Sequence, residues 1–275
     1  GPEVRWVGNE RGWAGRTNWC LINRDEMYPG SPNHKHLPYG QEDGSHWVPA
    51  EADVSIRPGW FYHASQDHQV KTLAQLTEIY YRSVGRNASL LLNFPVDPRG
   101  LIHENDVTRV LELQALIKED FSNNLLENVQ LSATNIRHDS DTYAPSMMLD
   151  GSTDTYWATD DEVVRASVTV EFTDTTTFNR LLVKEHIPLG QRVQAFALEY
   201  WKDSLWHEVV GGTTIGENRI LRFPDICSKR MRFTILEAKA CPLISEMALY
   251  RAPVTPPQPL IARNDEGAYI IKALK

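Results

Sequence analysis

The hydrophobic period changes once along this chain, and that change constrains the fold more than any other feature. Up to Phe121, apolar residues recur at helical spacing between short apolar runs; beyond it they alternate. Over 70–84, Leu73, Leu76, Ile79, Tyr80 and Val84 share one helical face, and over 105–121 Val107, Val110, Leu111, Ile117 and Phe121 do the same. Short strands are predicted at 4–8, 54–56 and 90–94, so the first part is βα repetition. Leu90, Leu91 and Leu92 form the continuous run expected of a strand buried on both faces of a parallel sheet. Pro95, Pro98 and Gly100 break the chain before the last helix, and 25–47, rich in Gly, Pro, Asn and His, reads as a long functional loop. Strands at 168–172, 180–185, 195–200, 219–223, 230–237 and 246–250, with no long helix among them, indicate an antiparallel β-sandwich. The boundary falls near 122–128. This gives an α/β part over 1–125, an all-β part over 126–253, and a Pro-rich exit and tail over 254–275.

Composition narrows the class of partner. The chain has 275 residues, 41% of them hydrophobic, enough for a sizeable core. A net charge of −8 with no Lys/Arg cluster argues against nucleic acid and suits a neutral glycan. No apolar run reaches the length of a membrane span, and no basic, then apolar leader opens the chain, so an export signal would precede Gly1. Cys20, Cys227 and Cys241 are too few and too scattered for a disulfide framework or a zinc site; they read as buried thiols, with a Cys227–Cys241 bridge left open.

Two segments concentrate polar and aromatic groups at strand ends. The first, GPEVRWVGNE, ends on Glu10; the second, PAEADVSIRPGWFYH, carries Glu51, Asp53, Arg57, Trp60 and His63. A carboxyl group poised for proton transfer beside flat aromatic walls suits a pyranose-binding pocket. Trp6 and Trp13 are placed to desolvate Glu10, with Asn9 and Arg5 close enough in sequence to orient it. Glu51 and Asp53, two positions apart, share one face of an extended segment and are the rival acids, with Arg57 a natural ion-pair partner. His34, His36, His46, His63 and His68 lack a metal-ligand spacing and suit hydrogen bonds to sugar hydroxyls. Asn87 and Asn93 are expected to satisfy backbone and loop groups.

These segments, with LLLNFPVDPRG at 90–100, resemble family 29 α-L-fucosidases, and within them the branch acting on α-1,3/1,4-linked fucose. The resemblance runs from Gly1 to about Pro253. It implies the C-terminal part of a (β/α)8 barrel followed by a discoidin-like, galactose-binding-type sandwich. It also implies a retaining exo-α-L-fucosidase acting on fucosylated oligosaccharides, secreted or periplasmic, with no cofactor for catalysis. Glu10 takes the general acid/base role, with Glu51 the alternative; Trp60, Trp13, Arg5 and His63 are the substrate-binding candidates, Trp60 as the wall for the fucose ring. The family's nucleophile is an Asp in a W-F-D-G-like context, which this sequence lacks. A (β/α)8 barrel needs about 250 residues and only about half that number precede the sandwich, so the N-terminal half of the barrel is the expected partner, as a second chain or a missing segment.

In the second part, LDGSTDTYWAT, KEHIPLGQRV and ISEMALY resemble discoidin-like modules. By that resemblance Asp150, Asp154, Thr155 and Glu246 are candidate ligands for a structural Ca²⁺. Trp157, Trp201 and Trp206 are expected in the sandwich core. Two competing readings stand beside the enzyme: a non-catalytic carbohydrate-binding protein using the sandwich, and a glycosidase of other specificity on the same scaffold.

Overall fold

A computed structural model describes residues 3–253 and places a boundary between compact units at Ser122 and Asn123. The expected exit and tail over 254–275 lie outside the described residues.

The first unit runs β1 (Arg5–Trp6), β2 (Leu21–Ile22), β3 (His46–Trp47), β4 (Ala50–Ser55), α1 (Leu73–Arg82), β5 (Ala88–Asn93) and α2 (Glu104–Asp120). β1, β4 and β5 form a parallel sheet in the order β1-β4-β5, while β2 and β3 pair antiparallel at the two ends of the loop segment. α1 begins at Leu73 because Thr72 and Gln75 close a capping box, each side chain serving the other residue's backbone N–H. Register sorts the strand residues onto two faces. Ala50 opposite Ala88, Ala52 opposite Leu90 and Val54 opposite Leu92 look toward the helices, where Val54, Ile56, Leu76, Ile79 and Leu113 form the core. Glu51 opposite Ser89, Asp53 opposite Leu91 and Ser55 opposite Asn93 look the other way.

This corrects the reading of the Leu90–Leu92 run. Leu90 and Leu92 pack against the helix-side cluster, but Leu91 points to the other face and is 44% exposed. Among the described residues that face carries carboxylates and hydroxyls in place of an apolar layer, so a continuous apolar run behaves here as an alternating one.

The second unit contains β6 (Gln130–Ala133), β7 (Trp157–Ala158), β8 (Ala166–Glu185), β9 (Val193–Lys202), β10 (Leu205–Gly212), β11 (Arg219–Ala238) and β12 (Leu243–Tyr250). Strand order is β10-β9-β11-β8-β12-β7, with β6 also on β8. β8 and β11 are 20 residues each where the sequence suggested two short strands apiece. Register shifts between Arg222 and Ile226 and between Ser228 and Arg230 explain the difference, since they interrupt the alternation without ending the strand. β12 flanks the late half of β8, while β6 flanks its early half and β9 the late half of β11, so the two long strands take part in both layers of a sandwich.

The core of this unit is closed and aromatic: Trp157, Phe178, Phe196 and Phe233 are each 0% exposed. Trp201 and Trp206 are not part of it. Their rings meet edge to face at 5.1 Å on the outer surface, with the guanidinium of Arg232 4.5 Å from the Trp206 ring. Cys227 is exposed rather than buried, and Cys20, Cys227 and Cys241 are all free thiols, so the Cys227–Cys241 bridge is absent.

Candidate active site

Parallel strands deliver their carboxyl ends to one edge of the sheet, and the chemistry-bearing residues of the first unit gather there. After β1 the ladder continues by two bonds, Val7 N to Glu51 O and Gly12 N to Asp53 O, both at 3.0 Å. Between them the chain makes a short excursion whose tip is Glu10. Gly8 and Gly12 bracket it at φ +76° and +73°, in the left-handed region. At Gly12 a Cβ would come within 2.8 Å of Ile79, so the loop returns flush against the core. Asn9 pins the excursion from inside, donating to Trp13 O at 3.0 Å and accepting from Arg11 N at 3.1 Å.

Trp60 comes from the next loop, after β4, and its indole Nε1–H donates to Glu10 Oε2 at 2.9 Å. Its backbone is fixed from β5, where Asn93 Nδ2 donates to Trp60 O and to Ser55 Oγ, both at 3.1 Å. Ser55 Oγ in turn donates to Gly59 O at 2.7 Å. Glu10, Trp60 and Asn93 are thus one hydrogen-bonded unit built from three strand ends.

The indoles expected around Glu10 have other partners. Trp6 donates to Asp53 Oδ1 at 2.5 Å, and its ring meets His34 edge to face at 5.8 Å. Trp13 packs on the helix-side core, with the guanidinium groups of Arg82 and Arg11 at 4.2 and 5.0 Å from its ring. His63 is exposed at the start of the turn Ala64–Gln69. Glu51 is half-buried on the open face of the sheet, opposite Trp6 in β1.

Arg5 requires a correction. It is 3% exposed and its guanidinium donates to the carbonyls of Leu37, Trp19 and Val48 and to Asn18 Oδ1, at 2.7–3.1 Å. Burial pulls its pKa down to about 10. An arginine whose donors are spent on loop carbonyls ties segments 18–19, 37 and 48 together and has no fork left for a sugar. Asn87 assists, donating to Asn18 O and Cys20 Sγ from a left-handed backbone at φ 58°.

Arg57 does not pair with Glu51 or Asp53. It is 0% exposed and its single Nε–H is shared by the two carboxylate oxygens of Asp106 of α2, at 3.1 and 2.8 Å, while Nη1 reaches Asp67 at 2.8 Å. Tyr62 lays its ring 4.8 Å from the guanidinium, and Nη2 is buried without a hydrogen-bond partner among the described residues. Burial alone would depress the Arg57 pKa, but Asp106 and Asp67 outweigh it and hold it above the ordinary value. Arg57 likewise holds Asp67 below the usual carboxylate range. Sequence reasoning missed Asp106 and Asp67, whose positions 49 and 10 residues from Arg57 carry no local pattern. A faint signal existed: Asp106 lies in the first turn of a helix, where an acid is unremarkable until something basic is buried beneath it.

In the sandwich, Asp150 accepts from Ser152 N at 2.9 Å and Thr155 Oγ1 at 2.6 Å, and Ser152 Oγ accepts from Asp154 N. Glu246 is ion-paired with Lys184 across β12 and β8 at 2.6 Å. Among the described residues no three His, Cys, Asp or Glu side chains form a metal-holding group, so a Ca²⁺ here would need backbone carbonyls for most of its ligands. The absence of such a group among the described residues extends to the histidines of the first unit.

Comparison with known proteins shows what the chain is similar to. Residues 130–247 match the F5/8 type C domain family. Over 254 residues the chain is 41% identical to α-L-fucosidase 1 of Arabidopsis thaliana, covering 91% of this chain and 50% of that protein. A Ruminococcus gnavus GH29 fucosidase solved in complex with fucose superposes with a TM-score of 0.84 at 31% identity, covering 92% of this chain and 51% of that one. A glycoside hydrolase 29 family member from an unknown rumen bacterium gives 0.75 at 37% identity, over 92% and 41%. The chain spans about half the length of the relatives it matches. It is a homologue of the family 29 α-L-fucosidases, corresponding to their C-terminal portion, with an F5/8 type C domain as its second unit.

Proposed function

We propose that the complete protein is a retaining exo-α-L-fucosidase releasing α-1,3/1,4-linked fucose from oligosaccharides, with Glu10 as general acid/base. The observation that carries this reading is the Glu10–Trp60 contact at the carboxyl ends of parallel strands, in a chain homologous to fucosidases. Glu10 protonates the glycosidic oxygen as the bond to the anomeric carbon breaks, then takes a proton from the incoming water. Trp60 offers its ring to the apolar side of fucose while its N–H holds the carboxyl. The attacking carboxylate comes from a segment outside this sequence, about 5 Å across the scissile bond from Glu10. That segment also supplies the strands that complete the sheet, covering the face that bears Glu51, Asp53 and Leu91. Residues 1–275 alone are accordingly inactive.

Glu10→Gln in the complete protein should lower turnover of a natural fucosylated trisaccharide by about 10²–10⁴-fold, with a smaller loss on the fucosylation step of an activated aryl fucoside. Unchanged trisaccharide hydrolysis would remove Glu10 from the role and promote Glu51. A complete wild-type protein that binds fucosides without hydrolysing any of them would return the carbohydrate-binding reading.

A further inference from the structure

We propose that Asp106 and Arg57 are positioning residues for Glu10, acting through the turn that carries Trp60; this rests on the fucosidase reading of the same site. The turn from Arg57 to Gly59 has little packing of its own: Pro58 is exposed and Gly59 has nothing within 4 Å of its Cβ position. Polar contacts hold it: Ser55 Oγ on Gly59 O and Asn93 Nδ2 on Trp60 O grip its later half from the strands, and its earlier half, at Arg57, is held from below. The Arg57 Nε is ion-paired with Asp106, which is also 0% exposed, and Lys71 Nζ donates to Ser55 O at 2.6 Å and to Arg57 O at 3.3 Å.

The far side of the same loop is tied to the start of α2. Asn105 Nδ2 donates to Asp67 O at 2.8 Å, the His103 ring stacks on Tyr62 at 6.0 Å, and His103 Nε2 lies 3.4 Å from Asp67 Oδ2. Two ends of the loop, Arg57 and Asp67, are therefore anchored on one helix terminus, and Trp60 rides between them with its indole on Glu10. A buried ion pair is a costly way to gain stability, and here one guanidinium is divided between Asp106 and Asp67, which ties two segments to one geometry. Here the selected geometry is that of the N–H donor that orients the acid/base carboxyl. Loss of the brace lets the Trp60 turn drift, and a misplacement of about 1 Å costs about 10²-fold when it lies on the proton donor.

The effect has a signature that general loosening lacks. Protonation of the leaving group matters for a poor leaving group and hardly at all for a good one. Asp106→Asn in the complete protein should lower kcat/KM for methyl α-L-fucoside by about tenfold to a hundredfold, and for 2,4-dinitrophenyl α-L-fucoside by about threefold or less. Trp60→Phe, which loses the N–H together with part of the indole surface, should show the same split on top of a loss common to both substrates, without disturbing the brace. The double variant should lose no more on methyl fucoside than the worse single variant, because both act on one contact. Equal losses on the two substrates, or losses that multiply in the double variant, overturn the proposal. If Asp106→Asn does not fold, Arg57→Lys takes its place, with thermal melting reporting the fold and the same two substrates reporting the split. A wild-type protein that cleaves neither fucoside overturns the fucosidase reading itself and this inference with it, an outcome distinct from a cleaving enzyme with parallel losses.

Discussion

In the β-sandwich the largest fully buried side chains are Trp157, Phe178, Phe196 and Phe233; in the α/β unit the largest is an arginine, Arg57. The sandwich encloses a continuous apolar cluster between two layers. The α/β unit divides its buried apolar residues among three smaller clusters, and the face of its sheet away from the helices presents Glu51, Asp53 and Ser55. An apolar core tolerates rearrangement as long as volume is kept, whereas a buried ion pair tolerates one arrangement of its loops. The sandwich is built to be stable, and the α/β unit is built to hold a few groups still.

The sharpest way to break that comparison is to exchange the two strategies. Phe233→Ala should destabilise the sandwich by about 3–5 kcal/mol, through lost transfer energy and an unfilled cavity. Replacing Arg57 and Asp106 together by Met and Leu should leave the stability of the α/β unit unchanged or raise it by about 1–4 kcal/mol, since two desolvated charges are removed at once. Urea denaturation followed by tryptophan fluorescence measures both. A loss in the double variant as large as that of Phe233→Ala would mean that the ion pair carries the stability of its unit as the aromatics carry theirs.

The same contrast decides how much was legible in the sequence. Periodicity found α1, α2, β1, β5, β9 and β12 and the end of β4, because apolar spacing and core burial are one physical fact seen twice, and it missed β2, β3, β6, β7 and β10. It failed at β8 and β11, where bulges reset the alternation within a single strand, and at Leu91, whose neighbours share its chemistry but not its face. Glu10 and Trp60 were named from motif resemblance, and the structure brings them together. Asp106 and Asp67 were invisible because a polar brace joins distant positions by charge, which leaves no period. Arg5 was misread for the complementary reason: near a candidate acid an arginine suggests a ligand contact, and only its four loop acceptors show otherwise.

The sandwich buries polar groups of its own, and pH separates one of them, Glu185, from the acids of the other unit. Glu185 is 2% exposed and accepts from Arg192 N, Val193 N and Gly216 N at 2.6–2.8 Å. Those donors favour the carboxylate, but burial outweighs them and raises the carboxyl from 4.5 to about 7. The native state therefore keeps a proton that the unfolded chain gives up. This contribution to stability is complete below pH 4.5 and is lost as pH rises through about 7, a change on the order of 3 kcal/mol. Asp67 and Asp97 in the α/β unit run the opposite way: Arg57 and Arg99 lower them, so their contribution is present above the ordinary carboxylate pKa and lost on acidification. Native-state hydrogen exchange of β8 and β9 amides should show opening free energies that fall between pH 5 and 7.5 in the wild type and lack this fall in Glu185→Gln. The same slope in both would assign it to other groups.

The smallest expected effect tests the open face directly. Leu91 is 44% exposed in β5, between Ser89 and Asn93 on the side of the sheet that faces away from the helices. With nearly half of its surface still in water, Leu91→Ser in the 275-residue chain should cost only about 1 kcal/mol. In the complete protein, where further strands are proposed to cover this face, the same substitution removes a buried leucine and leaves a hydroxyl without a partner. There it should cost about 2–5 kcal/mol. The pair of measurements turns on context alone, since the residue, its strand and its neighbours are identical in both. A small effect in both proteins would mean that the carboxylate-bearing face stays open, and that the α/β unit needs no completing layer. A large effect in the short chain would mean that Leu91 is already buried there, which would remove the open face on which the contrast between the two units rests.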